Sequence, residues 1–149
     1  MNNQKNKSWD RKLPQRKENT RKERIVTDDE PRVVFNFRDF DKQQIPPGQS
    51  FNEWEKDGRL SPLFKSLVEI SELTLKEAMS REVIKKYKEF PPHSFFEPPK
   101  HIAKDANWAT INRIDGQKSR VVGHLVNNIF YVVFLDKNHQ FYPTKKKNT

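Results

Sequence analysis

Two runs of β-forming apolar residues, Val121–Val126 and Ile129–Leu135, stand two residues apart, divided by Asn127-Asn128. No other feature of the chain limits its fold so much. A two-residue link between strand-like runs closes a tight hairpin, and Asn accepts the positive φ that such turns need. With Val126 opposite Ile129, the pairing sets His124 against Tyr131, Val122 against Val133 and Arg120 against Leu135. Alternation then sorts the side chains by face. Val121, Gly123, Leu125, Phe130, Val132 and Phe134 form an apolar face, expected to be the core. Arg120, Val122, His124, Tyr131 and Val133 form a mixed face, expected to be open and to carry the chemistry.

The rest of the chain supplies partners for this hairpin. Arg32–Phe37 reads as a first strand, with Val33, Phe35 and Phe37 on one side. A loop closed by Pro46-Pro47-Gly48 follows. Ser50 and Glu53 form a capping box that opens a short helix, stopped near Gly58. Ser61-Pro62 restarts a helix as N-cap and first helical residue, with a stripe of Leu60, Leu63, Phe64, Leu67 and Val68. Thr74 and Glu77 form a second capping box, and Leu75, Met79, Val83 and Tyr87 at i+4 steps predict a helix to about residue 90. Pro91-Pro92 and Pro98-Pro99 bracket a stiff, extended loop holding His93 and Glu97. Trp108–Ile114 is the next strand, Asp115-Gly116 its turn, and Gln140–Tyr142 a short returning strand. The order predicts a two-layer α+β fold: an antiparallel meander of three to five strands with two short helices on one face.

Charge divides the chain into parts. Residues 1–24 hold nine Lys or Arg against three Asp or Glu, and Lys145, Lys146 and Lys147 add three more cations. These ends account for the whole net charge of +9, so residues 25–144 are neutral in sum. Residues 1–30 carry too few large apolar side chains to offset ordering, which predicts a disordered basic tail, either solubilising or gripping phosphates. A single domain is expected over 31–144, with a loose basic end at 145–149. There is no cysteine, hence no disulfide and no thiolate site. The four histidines show no metal-ligand spacing, so neither metal nor cofactor is expected. No apolar signal segment or membrane-length run stands out, and a soluble cytoplasmic protein is the expectation.

Glu97-Pro98-Pro99-Lys100-His101, Trp108, Arg120-Val121-Val122, His139 and Tyr142 together resemble the C-terminal half of the YoeB-type mRNA interferases, in the RelE/ParE-like toxin superfamily. Those proteins carry a Glu-Pro-Leu-Lys segment, a Trp about ten residues on, an Arg-Leu-Val-Tyr strand and a terminal His-Tyr. Here Trp108 follows Glu97 by eleven residues, and His139 follows Arg120 by nineteen. The resemblance covers about residues 95–142, and residues 32–90 by element order alone.

It implies a RelE-like fold and metal-independent cleavage of RNA, on the ribosome in much of the family, under the control of an antitoxin protein. The RNA 2′-hydroxyl attacks the adjacent phosphate, leaving a 2′,3′-cyclic phosphate and a 5′-hydroxyl. By the same resemblance Glu97 is the general base, Arg120 the clamp on phosphate charge and His139 the general acid. His124 is a substitute for that acid, and Tyr142 or Tyr131 would stack on a base. Lys100 would bind substrate. The family's Ser-Arg-Arg after the Trp is Ala109-Thr110-Ile111 here, leaving Arg113 as the source of a second cation. Gly123 replaces the Tyr of Arg-Leu-Val-Tyr, and Gln140-Phe141 splits the terminal His-Tyr. The alternative is a RelE-fold module that binds protein or RNA without catalysis.

Overall fold

The computed structural model describes residues 30–116 and 118–144; apart from Glu30, the expected basic ends lie outside the described residues. Eight elements follow in order: β1 (Val34–Asn36), α1 (Phe51–Lys56), α2 (Leu60–Ser71), α3 (Leu75–Ser80), β2 (Ile84–Lys86), β3 (Asn107–Ile111), β4 (Arg120–Val126) and β5 (Ile129–Asp136). The strands make one sheet in the order β1-β5-β4-β3-β2. The α+β class is as expected. The sheet is mixed rather than a pure meander, because β1 runs parallel to β5 at the edge. Among the described residues there are three helices, not two.

The Asn-Asn turn forms where the spacing placed it, with Asn127 at φ 54. Asn128 also ties the turn to the chain before β1: its side-chain amide donates to the Arg32 carbonyl at 2.8 Å, and its own carbonyl accepts from Val34 N at 3.0 Å. From Val126↔Ile129 to Gly123↔Val132 the register is the expected one. It then slips at a bulge: Val122 pairs with Phe134, Val121 with Leu135 and Arg120 with Asp136, leaving Val133 as the extra residue. Phe134 therefore leaves the expected core face, and Leu135 takes its place. A side chain at Gly123 would overlap the Tyr131 carbonyl and come within 2.5 Å of the Phe130 ring. Only glycine lets the strands approach so closely at the bulge.

Both faces of the sheet are buried, which corrects the expectation of an open face. Val121, Leu125, Phe130, Val132, Leu135, Ile84 and Ile111 pack against Trp54 of α1, Leu63, Leu67 and Ile70 of α2, and Ala78 of α3. On the other face Trp108, Val122, Val133 and Phe134 are covered by Phe96, Ile102 and Phe141, with Tyr87 and Phe90 beside them. The covering layer is irregular chain from the proline-flanked loop and from the residues after β5. These two segments are joined by Phe95 N donating to the Gln140 carbonyl at 3.0 Å. The expected strand at Gln140–Tyr142 is part of this layer, not of the sheet.

The helix ends differ from expectation in instructive ways. Thr74 and Glu77 form the full reciprocal capping box, with bonds of 3.1 and 3.0 Å. Ser50 caps α1 through Glu53 N at 3.2 Å. Ser61 does not cap α2, which already begins at Leu60 with Arg59 in the cap position and no side-chain cap bond. The largest difference is at α3, which stops at Ser80 instead of running to residue 90. Glu82 adopts φ 61, Glu82 N donates to the Met79 carbonyl and Val83 N to the Ala78 carbonyl. That pair of bonds is a Schellman ending, normally built on glycine. The chain then enters β2, where period two turns Ile84 into the helix-side core and Lys85 and Tyr87 to the opposite face.

Candidate functional site

The aromatic layer does not reach the end of the sheet where β4 begins and β5 ends. A cavity of about 570 Å³ opens there, lined by Lys85, Tyr87, His93, Asn112, Arg120, His139, Tyr142 and the prolines 91, 92 and 143. The polar groups arrive from several elements. Lys85 and Tyr87 come from β2 and its continuation, Arg120 from the first position of β4, and His139 from the turn after β5. His139 sits at φ 57, a left-handed conformation that turns the chain back toward the cavity. Tyr142 stacks on Tyr87 with centroids 5.2 Å apart and planes at 25°. The Lys85 ammonium lies 5.5 Å from the Tyr87 ring centre and 5.7 Å from that of Tyr142. The result is an aromatic step with a cation over it, one outer ring being half exposed.

The electrostatics follow from partial burial. Burial lowers the Arg120 pKa from its ordinary value, while Tyr87 and Asp136 oppose the shift. Its guanidinium remains charged at any physiological pH. Burial, then the nearby charges of Arg120 and Lys85, push the His139 pKa below its ordinary value. The Tyr87 phenol is pushed up, chiefly by burial, and stays protonated. At neutral pH the cavity thus sets the cations of Lys85 and Arg120 beside the neutral His139 imidazole and the Tyr87 phenol. Such a set attracts an anion, offers its attached ring a stacking surface, and supplies a nitrogen able to accept a proton.

Of the residues singled out in the sequence, Arg120, His139 and Tyr142 share this cavity. Glu97 does not. It lines a separate cleft of about 650 Å³ with Lys100, His101, Asp41 and the paired prolines 46, 47, 98 and 99. A chain of ring contacts runs from one cavity to the other: Phe96 of the cleft packs on Phe141 at 6.3 Å, and Phe141 on Tyr87 of the first cavity at 5.8 Å. The expected gathering of Glu97 with Arg120 and His139 is therefore not what the structure presents. Arg113 also lies outside the cavity, in an exposed pair with Glu82 at 3.2 Å. Lys85 is the cation that shares the cavity lining with Arg120.

His124 belongs to a third place. Its Nε2 meets Asp39 Oδ2 at 2.8 Å, and its ring stacks on Tyr131 at 4.9 Å. Tyr131 is buried, with the Arg38 guanidinium 4.7 Å from its ring centre, so it offers no stacking face to substrate. His101 Nε2 bonds the Asp39 carbonyl at 2.8 Å and completes this cluster. Burial pushes the Asp39 pKa up, but hydrogen bonds from Arg38 and His124 outweigh it and the net shift is downward. A depressed carboxyl pKa contributes stability that is present above the unfolded value and lost as pH falls through the folded one. Denaturant melts from about pH 5 down to about pH 2 are expected to show this loss, and Asp39→Asn should flatten it. An acid limb unchanged by Asp39→Asn contradicts the assignment.

The sequence reading missed Lys85, Tyr87, His93 and Asn112 as site residues. Alternation over Val83-Ile84-Lys85-Lys86-Tyr87 was the available signal for the first two. Among the described residues no three His, Asp or Glu side chains gather as a metal site, and no helix is long and apolar enough to cross a membrane. Comparison of the chain with known protein families, curated proteins and solved structures returns no match.

Proposed function

We propose that this chain is a RelE-like, RNA-binding endoribonuclease that cuts by 2′-hydroxyl attack, using the Arg120 cavity. The observation that carries the reading is the joint placement of Lys85, Arg120, His139 and the Tyr87–Tyr142 step around one hollow. The order of strand, helices and antiparallel strands supports the RelE-like part. Arg120 and Lys85 hold the phosphoryl oxygens and stabilise charge as it builds on them. A base of the RNA stacks on Tyr142.

His139 takes the 2′-hydroxyl proton, a role its lowered pKa suits better than that of acid. The 2′-oxygen bonds to phosphorus, the bond to the 5′-oxygen breaks, and the leaving oxygen takes its proton from solvent at the open mouth of the cavity. Glu97 has no part in this scheme. RNA, free or on the ribosome, is the substrate, and an antitoxin protein is the partner the reading implies.

Incubation with single-stranded RNA and with translating ribosomes is expected to give fragments with 5′-hydroxyl and 2′,3′-cyclic phosphate ends. Arg120→Ala should lower the rate by about a hundredfold, while Glu97→Gln leaves it within about twofold. The acid limb of the rate profile should lie below the ordinary histidine value of ~6.5, because His139 must lose its proton to work. RNA that is bound but left whole would favour a binding module without catalysis; RNA neither bound nor cut removes the proposal.

A further inference from the structure

The cavity reading leaves one group unused. Asp136, the last residue of β5, is fully buried and carries an ionisable carboxyl in a position where burial disfavours its charge. A buried carboxylate is costly unless its oxygens are occupied. Here Oδ1 accepts from Gln140 N at 2.9 Å and Oδ2 from Phe141 N at 2.9 Å, while Arg120 stands opposite in the β4–β5 register. The two amides belong to the turn that contains His139 and leads to Tyr142. Phe141, also fully buried, anchors that turn in the aromatic layer. The carboxylate thus joins the end of a central strand to a segment with no sheet pairing of its own.

We infer that Asp136 is a positioning residue: its carboxylate latches the 137–142 turn so that His139 and Tyr142 face Arg120 across the cavity. The inference rests on the cavity reading only for what the cavity does; the latch itself stands on the two amide bonds and on burial. A bonded turn is preorganised, so neither ligand nor substrate has to order it. Asp136 touches no ligand in this arrangement and acts through His139 and through the charge of Arg120.

The test uses the full chain, the His139 imidazole followed by NMR titration, and inorganic phosphate as the cavity probe. Asp136→Asn replaces one acceptor with a donor aimed at an amide. It should release the turn into solvent, move the His139 titration up toward the ordinary imidazole value, and weaken phosphate binding by about tenfold. Gln140→Pro removes one of the two donors without touching the carboxyl, and should move both readings in the same direction. It serves alone if Asp136→Asn does not fold. Lower stability with an unchanged His139 titration and unchanged phosphate affinity would show a merely structural carboxylate and overturn the latch. RNA cleavage by the unaltered chain tests the enzyme reading separately, since the titration does not depend on it.

Discussion

Gly123→Ala is expected to destabilise the fold by about 3 kcal/mol or more, enough to lower the melting temperature by something on the order of 15 °C. The added methyl would be driven into the Tyr131 carbonyl and the Phe130 ring, and neither can withdraw. The carbonyl belongs to the neighbouring strand, and Phe130 is wholly buried between the sheet and the helices. Backbone conflict of this kind has no cheap side-chain escape, unlike ordinary overpacking. The strands must part at the bulge or the register must shift. A shift by one residue would exchange the faces of every side chain beyond it. Chemical denaturation of the variant is the measurement, and a loss below about 1 kcal/mol would show that the bulge yields. The backbone at Gly123 has no room for any side chain.

Phe141→Ala should cost about 3–5 kcal/mol, the range for truncating a buried aromatic that the surroundings cannot replace. The ring is fully buried and meets Phe90 at 5.1 Å, Tyr87 at 5.8 Å, Trp108 at 5.9 Å and Phe96 at 6.3 Å. Removing it leaves a hole at the meeting point of both covering segments and the sheet. Because Phe141 N also bonds Asp136, the two positions share one anchor. The double variant with Asp136→Asn is expected to lose less than the sum of the single losses, as neighbours in one network do. Additive losses in a double-mutant cycle would mean that the ring and the latch hold the turn independently. Phe141→Leu, which keeps most of the volume, should fall well short of the alanine variant.

What the sequence disclosed depended on the kind of signal each element carried. The β4–β5 hairpin was legible because Asn127-Asn128 is a local turn signal between two long runs, and the first half of its register follows from that turn. The bulge was not legible. Gly123 hints at close approach, but nothing in a linear pattern says which of Val132, Val133 or Phe134 is the extra residue. The early end of α3 was hidden because Glu82 takes a backbone conformation usually marked by glycine. Meanwhile Leu75, Met79, Val83 and Tyr87 happen to keep a helical spacing across the break. That single misreading concealed Lys85 and Tyr87, since a helix would have turned them away from each other. Arg120, His139 and Tyr142 were found through their resemblance to a toxin motif, and the structure brings those three to one cavity. Glu97 fitted the same motif through its Glu-Pro-Pro-Lys segment and its spacing to Trp108. Which cavity this loop residue enters is decided by its neighbour Phe96 packing on Phe134, ring centres 4.7 Å apart, a contact with a residue far along the chain.

The parallel pairing of β1 with β5 bears on how the protein matures as it is synthesised. β1 can enter the sheet only beside β5, and Phe35 pairs with Phe130, ninety-five residues later. While the ribosome is still making the chain, the first strand and all three helices emerge without the surface they will cover. Their apolar faces must wait in solution or on a chaperone until the hairpin clears the exit tunnel. Because Arg120, His139 and Tyr142 come with or after that hairpin, an unfinished chain has no cavity at all. The cavity would exist only once the sheet closes.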